Sequence, residues 1–145
     1  MIMNKKIEKL TYGIDQLHLA VDLLKVYQKE CSVFTFTGPL GAGKTTLIRA
    51  LLNSCGITDT ITSPTFTYVN VYKVNAESYY HFDLYRLSNL NDFLEQDFDE
   101  YLYQPMSWTF IEWPEIVYPL LDKRVCHVKL DYLDSRRQLT LEVTI

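Results

Sequence analysis

Glycine and proline are scarce, five of each in 145 residues. The chain therefore has few breaks, and neither a linker-like tract nor a repeat divides it. Residues 1–145 are expected to form a single domain, with a 48% apolar content sufficient for a sizeable core. Cysteine is sparse as well. Cys31, Cys55 and Cys126 are odd in number and widely separated, with no C-x-x-C pair and no His at ligand spacing, which argues against a disulfide framework or a zinc site. They read as buried thiols in a reducing compartment. No run of about 18 apolar residues is present, and the opening MIMNKKIEKL leads into no apolar signal core, so a cytoplasmic protein without membrane attachment is expected. Positive charge is short too: a net charge of −4 argues against an extended basic face for direct contact with tRNA or DNA.

What is present has the order of an α/β domain. Ile7 to Thr11 reads as a first strand, and Leu17, Ala20, Val21 and Leu24 follow helical spacing behind Asp15, which is placed to cap that helix. Ser32 to Thr37, SVFTFT, is β-branched and aromatic and runs directly into Gly38. The following TTLIRALLNSCG is amphipathic and stops at Gly56. TDTITSPTFTY reads as loop, TYVNVYKV and SYYHFDLY as a hairpin turning at Asn75 and Ala76, and Asn89 with Asp92 as a near capping box ahead of a helical face. SWTFIE reads as a buried strand, a short helix follows Pro114, and RVCHVKLDY and RQLTLEVTI form two last strands around DSR. The expected fold is a single α/β domain, a mixed β-sheet flanked by helices.

The residues Gly38, Pro39, Leu40, Gly41, Ala42, Gly43, Lys44 and Thr45 satisfy G-x-x-x-x-G-K-[ST] between a strand and a helix. Small residues let successive backbone N–H groups converge on phosphate oxygens, and the helix N-terminus adds its positive end. Lys44 reaches the β and γ phosphates, and a hydroxyl, Thr45 or Thr46, ligates Mg²⁺. No N-K-x-D guanine-reading sequence is present, which favours ATP. Two acids close apolar strands, Asp83 in YYHFD and Glu112 in WTFIE, and are candidates for the metal shell and for orienting the attacking water. A strand-end carboxylate is often merely solvated; in a phosphate-loop protein, one that ends a buried strand points to chemistry. TSPTFT, Thr62 to Thr67, is open between a plain proline turn and the hydroxyl-bearing loop that nucleotide switches carry at this place. His81, two residues before Asp83 and without a third ligand, reads as a packed or hydrogen-bonded histidine. Arg86 is open between a phosphate and an acid. The Tyr-rich strands read as core and edge packing.

Together, GPLGAGKTTL, SPTF, YHFDLYRL and IEWPE, in this order and spacing, resemble the bacterial TsaE (YjeE) family of small P-loop ATPases, from near Asp15 to about Leu121. The resemblance implies a part in forming the N6-threonylcarbamoyl modification of adenosine 37 in tRNA, with the TsaB and TsaD proteins as partners and the tRNA acted on indirectly. Carried over, it makes Lys44, Asp83 and Glu112 catalytic, and Thr45, Thr46, Asp83 and Glu112 the metal set. It places Ser63 and Thr65 in the switch-like loop, Trp113 beside the nucleotide, Arg86 at the strand exit, and the segment Thr11 to Asp15 near the base. One departure is Asp97, which stands where the family usually carries a glycine and predicts a straighter helix there.

Two other kinds of activity fit a phosphate loop. A small-molecule kinase needs an acceptor site and usually an arginine-bearing lid, and the arginines here are only Arg49, Arg86, Arg124, Arg136 and Arg137, with no long insertion. An assembly module that binds ATP without useful hydrolysis would depend on Lys44 but not on Glu112.

Overall fold

The computed structural model describes residues 5–64, 66–121 and 124–144. Its strands are β1 (Lys5–Tyr12), β2 (Val33–Thr37), β3 (Val69–Val74), β4 (Glu77–Asp83), β5 (Ser107–Glu112), β6 (Val125–Leu133) and β7 (Arg136–Thr144). They form one sheet in the order β1-β7-β6-β2-β5-β4-β3. The middle four, β6, β2, β5 and β4, run parallel; β3, β7 and β1 add antiparallel edges. This is the mixed sheet expected from the sequence.

Side-chain alternation sorts the core into two layers. On β2 and β5, Phe34, Phe36 and Phe110 face one side and pack with Leu47, Ile48, Leu51 and Leu52 of α2 (Lys44–Ser54) and with Leu24 of α1 (Leu17–Tyr27). Val33 and Ile111 face the other side, where Phe82, Phe93 and Phe98 lie. Both strands are buried on the two faces of the sheet, Thr35 and Thr109 included, as central parallel strands are. Leu51 and Leu52 are fully buried, so truncating either to Ala costs about 2–5 kcal/mol. Cys31 and Cys126 are buried as expected, while Cys55 is only half so; all three are free thiols.

Two local expectations are corrected. Asp15 makes no capping bond. A 3₁₀ turn, Ile14–Gln16, precedes α1, and there the Gly13 N–H donates to the Gln16 side chain at 3.0 Å, leaving Asp15 exposed inside the turn. Nor does Asp97 straighten its helix. Capped by Asn89, whose Oδ1 accepts from Asp92 N–H at 2.9 Å, α3 (Leu90–Glu95) stops short. Asp97 then takes the left-handed conformation, φ 58°, ψ 25°, before a 3₁₀ turn over Phe98–Tyr101. Aspartate is among the few residues that tolerate that conformation, so the break survives without glycine. It directs both Phe93 and Phe98 onto Phe82, with ring centroids 5.6 and 5.5 Å away.

Candidate active site

The parallel strands β2, β4 and β5 end on the same side of the sheet, where open α/β sheets place their ligands. The loop after β2 needs glycine for two different reasons. At Gly38 (φ 143°) a Cβ would lie 2.3 Å from the Leu130 carbonyl oxygen on β6, so nothing larger fits. At Gly43 the space is open, but φ is 99° as the chain turns into α2.

Lys44, the first residue of α2, is 5% exposed. Its ammonium donates to the carbonyls of Gly38 at 2.6 Å and Pro39 at 3.1 Å and lies 4.2 Å from the centroid of the Trp113 ring. Burial lowers the lysine's pKa from its usual range, opposed by the carboxylates of Glu112, Asp83 and Glu115. Trp113 is held in a left-handed turn, φ 56°, at the exit of β5, with its ring 4.9 Å from that of Tyr85.

In β4 and β5, Asp83 and Glu112 are register partners at adjacent strand ends. The Glu112 carboxylate is nearly inaccessible, at 2%. Its Oε1 accepts the Thr45 hydroxyl at 2.8 Å and its Oε2 meets His81 Nε2 at 2.6 Å. Asp83 is half-buried: Oδ2 accepts the Ser63 hydroxyl at 2.7 Å and Oδ1 the Tyr85 N–H at 3.1 Å. Lys44, Thr45, Thr46, Asp83, Glu112 and Trp113 share one groove of about 240 Å³. Thr45 faces Glu112 and Thr46 is exposed. Thr65 lies outside the described residues. Arg86 is exposed and packs its guanidinium 5.5 Å from the centroid of the Phe66 ring.

A second cleft, of about 250 Å³, opens on the other side of the loop. There Tyr12, Gly13, Ile14 and Leu17 meet Gly41, Gly43, Thr46 and Arg137. The N-terminal segment singled out from the sequence does flank the loop. Sequence reasoning placed the last hairpin around DSR, as observed, but gave it no contact with the loop. Arg137 Nε donates to the Ala42 carbonyl at 3.1 Å, and the Tyr132 hydroxyl to that of Leu40, also at 3.1 Å. The Arg137 guanidinium also lies 4.5 Å from the centre of the Tyr132 ring. Only the parallel pairing of β6 with β2 brings this hairpin to the loop, and no local motif announces it; the DSRR turn was the one available cue.

The family model described as "Threonylcarbamoyl adenosine biosynthesis protein TsaE" matches residues 13–139. The chain belongs to the TsaE family. Among TsaE relatives, the tRNA threonylcarbamoyladenosine biosynthesis protein TsaE of Haemophilus influenzae is 35% identical over 82% of this chain and 75% of its own length. The protein of the same description from Treponema pallidum is 38% identical over 78% of this chain and 83% of its own length. The crystal structure of Bacillus subtilis YdiB superposes with a TM-score of 0.70 over 100% of this chain and 89% of that one; at 21% identity it speaks for the P-loop NTPase-like fold alone.

Among the described residues no three His, Cys, Asp or Glu converge into a metal cage of their own. The groove instead offers hard oxygens: the Thr45 hydroxyl, the Glu112 carboxylate and Asp83. This donor set fits Mg²⁺, which typically takes one or two carboxylates and draws its remaining ligands from phosphates and water.

Proposed function

We propose that this TsaE-family chain binds ATP with Mg²⁺ and hydrolyses it to ADP and phosphate. The hydrolysis serves the N6-threonylcarbamoyl modification of adenosine 37 in tRNA. In this reading the chain works with the TsaB–TsaD pair in the cytoplasm and acts on the tRNA indirectly. The observation that carries the chemistry is the buried Glu112 carboxylate bonded to Thr45 one residue from the phosphate-loop lysine. The names of the curated relatives support the biological setting.

Backbone N–H groups of the loop and of the N-terminus of α2 would face the phosphates, apart from that of Ala42, which donates to the Pro39 carbonyl at 3.1 Å. Lys44 exchanges the Gly38 and Pro39 carbonyls for β and γ oxygens, neutralising charge that builds on them during transfer. Thr45, Asp83 and Glu112 would hold the Mg²⁺, either directly or through its waters, and the bound ion would supply Lewis-acid stabilisation of the charge that builds on the phosphates. Glu112 orients the attacking water and receives its proton as the new P–O bond forms and the bond to the β-phosphate oxygen breaks. The second cleft takes the nucleoside, against Tyr12 to Leu17 on one wall and Arg137 on another. Ser63, bonded to Asp83, gives the 62–67 loop a direct contact with the group beside the γ-phosphate, so that loop order follows nucleotide state.

The test is Mg²⁺-dependent phosphate release from ATP by the purified chain, alone and with the TsaB–TsaD pair. Release that depends on Lys44 and Glu112 and changes on adding the pair is the expected result. Tight ATP binding with no release in either condition would contradict hydrolysis, and phosphate appearing on an added nucleoside or sugar would make the protein a kinase.

A further inference from the structure

His81 is fully buried on β4, between the aromatic core residues and the site, and the mechanism above gives it no part. It is also incompletely satisfied: among the described residues its Nδ1 has no hydrogen-bond partner. Leaving a buried polar atom unpaired carries a penalty, so an imidazole is a poor choice if the position only needs filling. Its register partner on β5, Phe110, shows that an apolar ring is accommodated in this layer. What the imidazole supplies that an apolar side chain cannot is Nε2–H, 2.6 Å from Glu112 Oε2.

The register explains how the two meet. His81 stands opposite Phe110, and Asp83 opposite Glu112, so His81 and Glu112 are diagonal neighbours across the parallel pair. That separation is within reach of a long side chain, and Glu112 leans back toward His81. One carboxylate is thus bonded from two elements, by His81 on β4 through Oε2 and by Thr45 at the start of α2 through Oε1.

We infer that His81 is the positioning residue for Glu112. It holds Oε2 permanently, so that the carboxylate keeps its orientation when the Thr45 hydroxyl turns to other work, leaving Oε1 as the oxygen presented to the groove. A group held by Thr45 alone would lose its orientation on each cycle. This inference rests on the reading of Glu112 as the residue that orients the attacking water.

The test combines activity, binding and a spectroscopic readout. His81→Leu removes the donor and keeps the bulk; His81→Gln returns an N–H near the former Nε2. His81→Leu is expected to slow phosphate release on the order of 10- to 100-fold, the range seen when a group orienting a metal-site residue is lost. Its ATP affinity, measured by calorimetry, should stay within about threefold. His81→Gln should recover most of the rate, and His81→Leu should change the residual rate of Glu112→Gln by less than about twofold, because residues acting through one another are non-additive. Should the leucine variant fail to fold, the glutamine variant and the wild-type nitrogen spectrum still decide. On ¹⁵N-histidine-labelled protein, the spectrum should show His81 protonated at Nε2, with a resonance that moves in Glu112→Gln. Wild-type release by a folded His81→Leu, an undiminished effect of that change in the Glu112→Gln background, or an Nε2 without its proton would overturn the inference. Wild-type release by Glu112→Gln would overturn the underlying reading instead, and the two failures are distinct.

Discussion

The end of the central sheet and the loop that leans on it sit side by side but are built differently. Glu112 closes a strand paired on both sides, is 2% exposed, and has both carboxylate oxygens engaged by separate elements. The loop after Ile57 is anchored by the buried Ile61 and Pro64, and among its described residues it is tied to other elements by Arg49 Nε to the Ile61 carbonyl, Asn70 to that of Thr62, and the Ser63 hydroxyl to Asp83. At its tip Phe66 is 83% exposed. On the proposed reading, the strand ends carry the groups that must not move during chemistry, and a loop joined to them through side-chain bonds carries the group that reports on it.

The largest effect is expected from Lys44→Ala. Removing one positioned cation from a phosphoryl-transfer site costs on the order of 10²-fold in rate, about 3 kcal/mol, and phosphate release measured at saturating ATP should fall by at least that. Ser63→Ala tests the other half of the comparison. It frees one Asp83 oxygen and unfastens the loop, so release should change by less than about tenfold while amide exchange across residues 61–63 quickens. A loss as deep as that of Lys44→Ala would make the loop part of the chemistry and erase the distinction drawn here.

Smaller effects probe the rigid side. Asp97 occupies a left-handed position, so Asp97→Gly should raise stability by up to about 1 kcal/mol and Asp97→Val should lower it by about 1–2 kcal/mol, read from denaturant midpoints. The thiols give a still gentler test. Burial pushes the Cys31 and Cys126 thiols up from their usual range, and a raised value means less thiolate at a given pH and slower alkylation. At pH 8 the half-buried Cys55 should be modified first, with the other two reacting only on unfolding; early labelling of Cys126 would show that the core opens more readily than its packing implies.

Much of this was legible in the chain because local chemistry and tertiary environment agreed. SWTFIE is β5 to the residue, and Asn89 caps its helix as its spacing predicts. The phosphate loop, Asp83 and Glu112 were named from motif and strand-end position, and the fold brings them into one groove. Where reading failed, a distant partner or a backbone choice decided. Asp15 lost its capping role to Gln16 one residue on. Asp97 was read as a helix former when its tolerance of positive φ mattered more. Tyr132 and Arg137 act on loop carbonyls far away in sequence, through a strand pairing that no local pattern encodes. The bond from His81 to Glu112 has the same origin: the H-x-D spacing marked the residue, but only the register of β4 against β5 identifies its partner.

The proposed hydrolysis turns on Glu112, and its most direct test is phosphate release from ATP by Glu112→Gln, with the TsaB–TsaD pair present and ATP binding measured in parallel. A fall on the order of 10²-fold with ATP still bound is predicted. Release within about threefold of wild type, or full tRNA modification supported by that variant, would contradict the account and leave an ATP-dependent assembly module in its place.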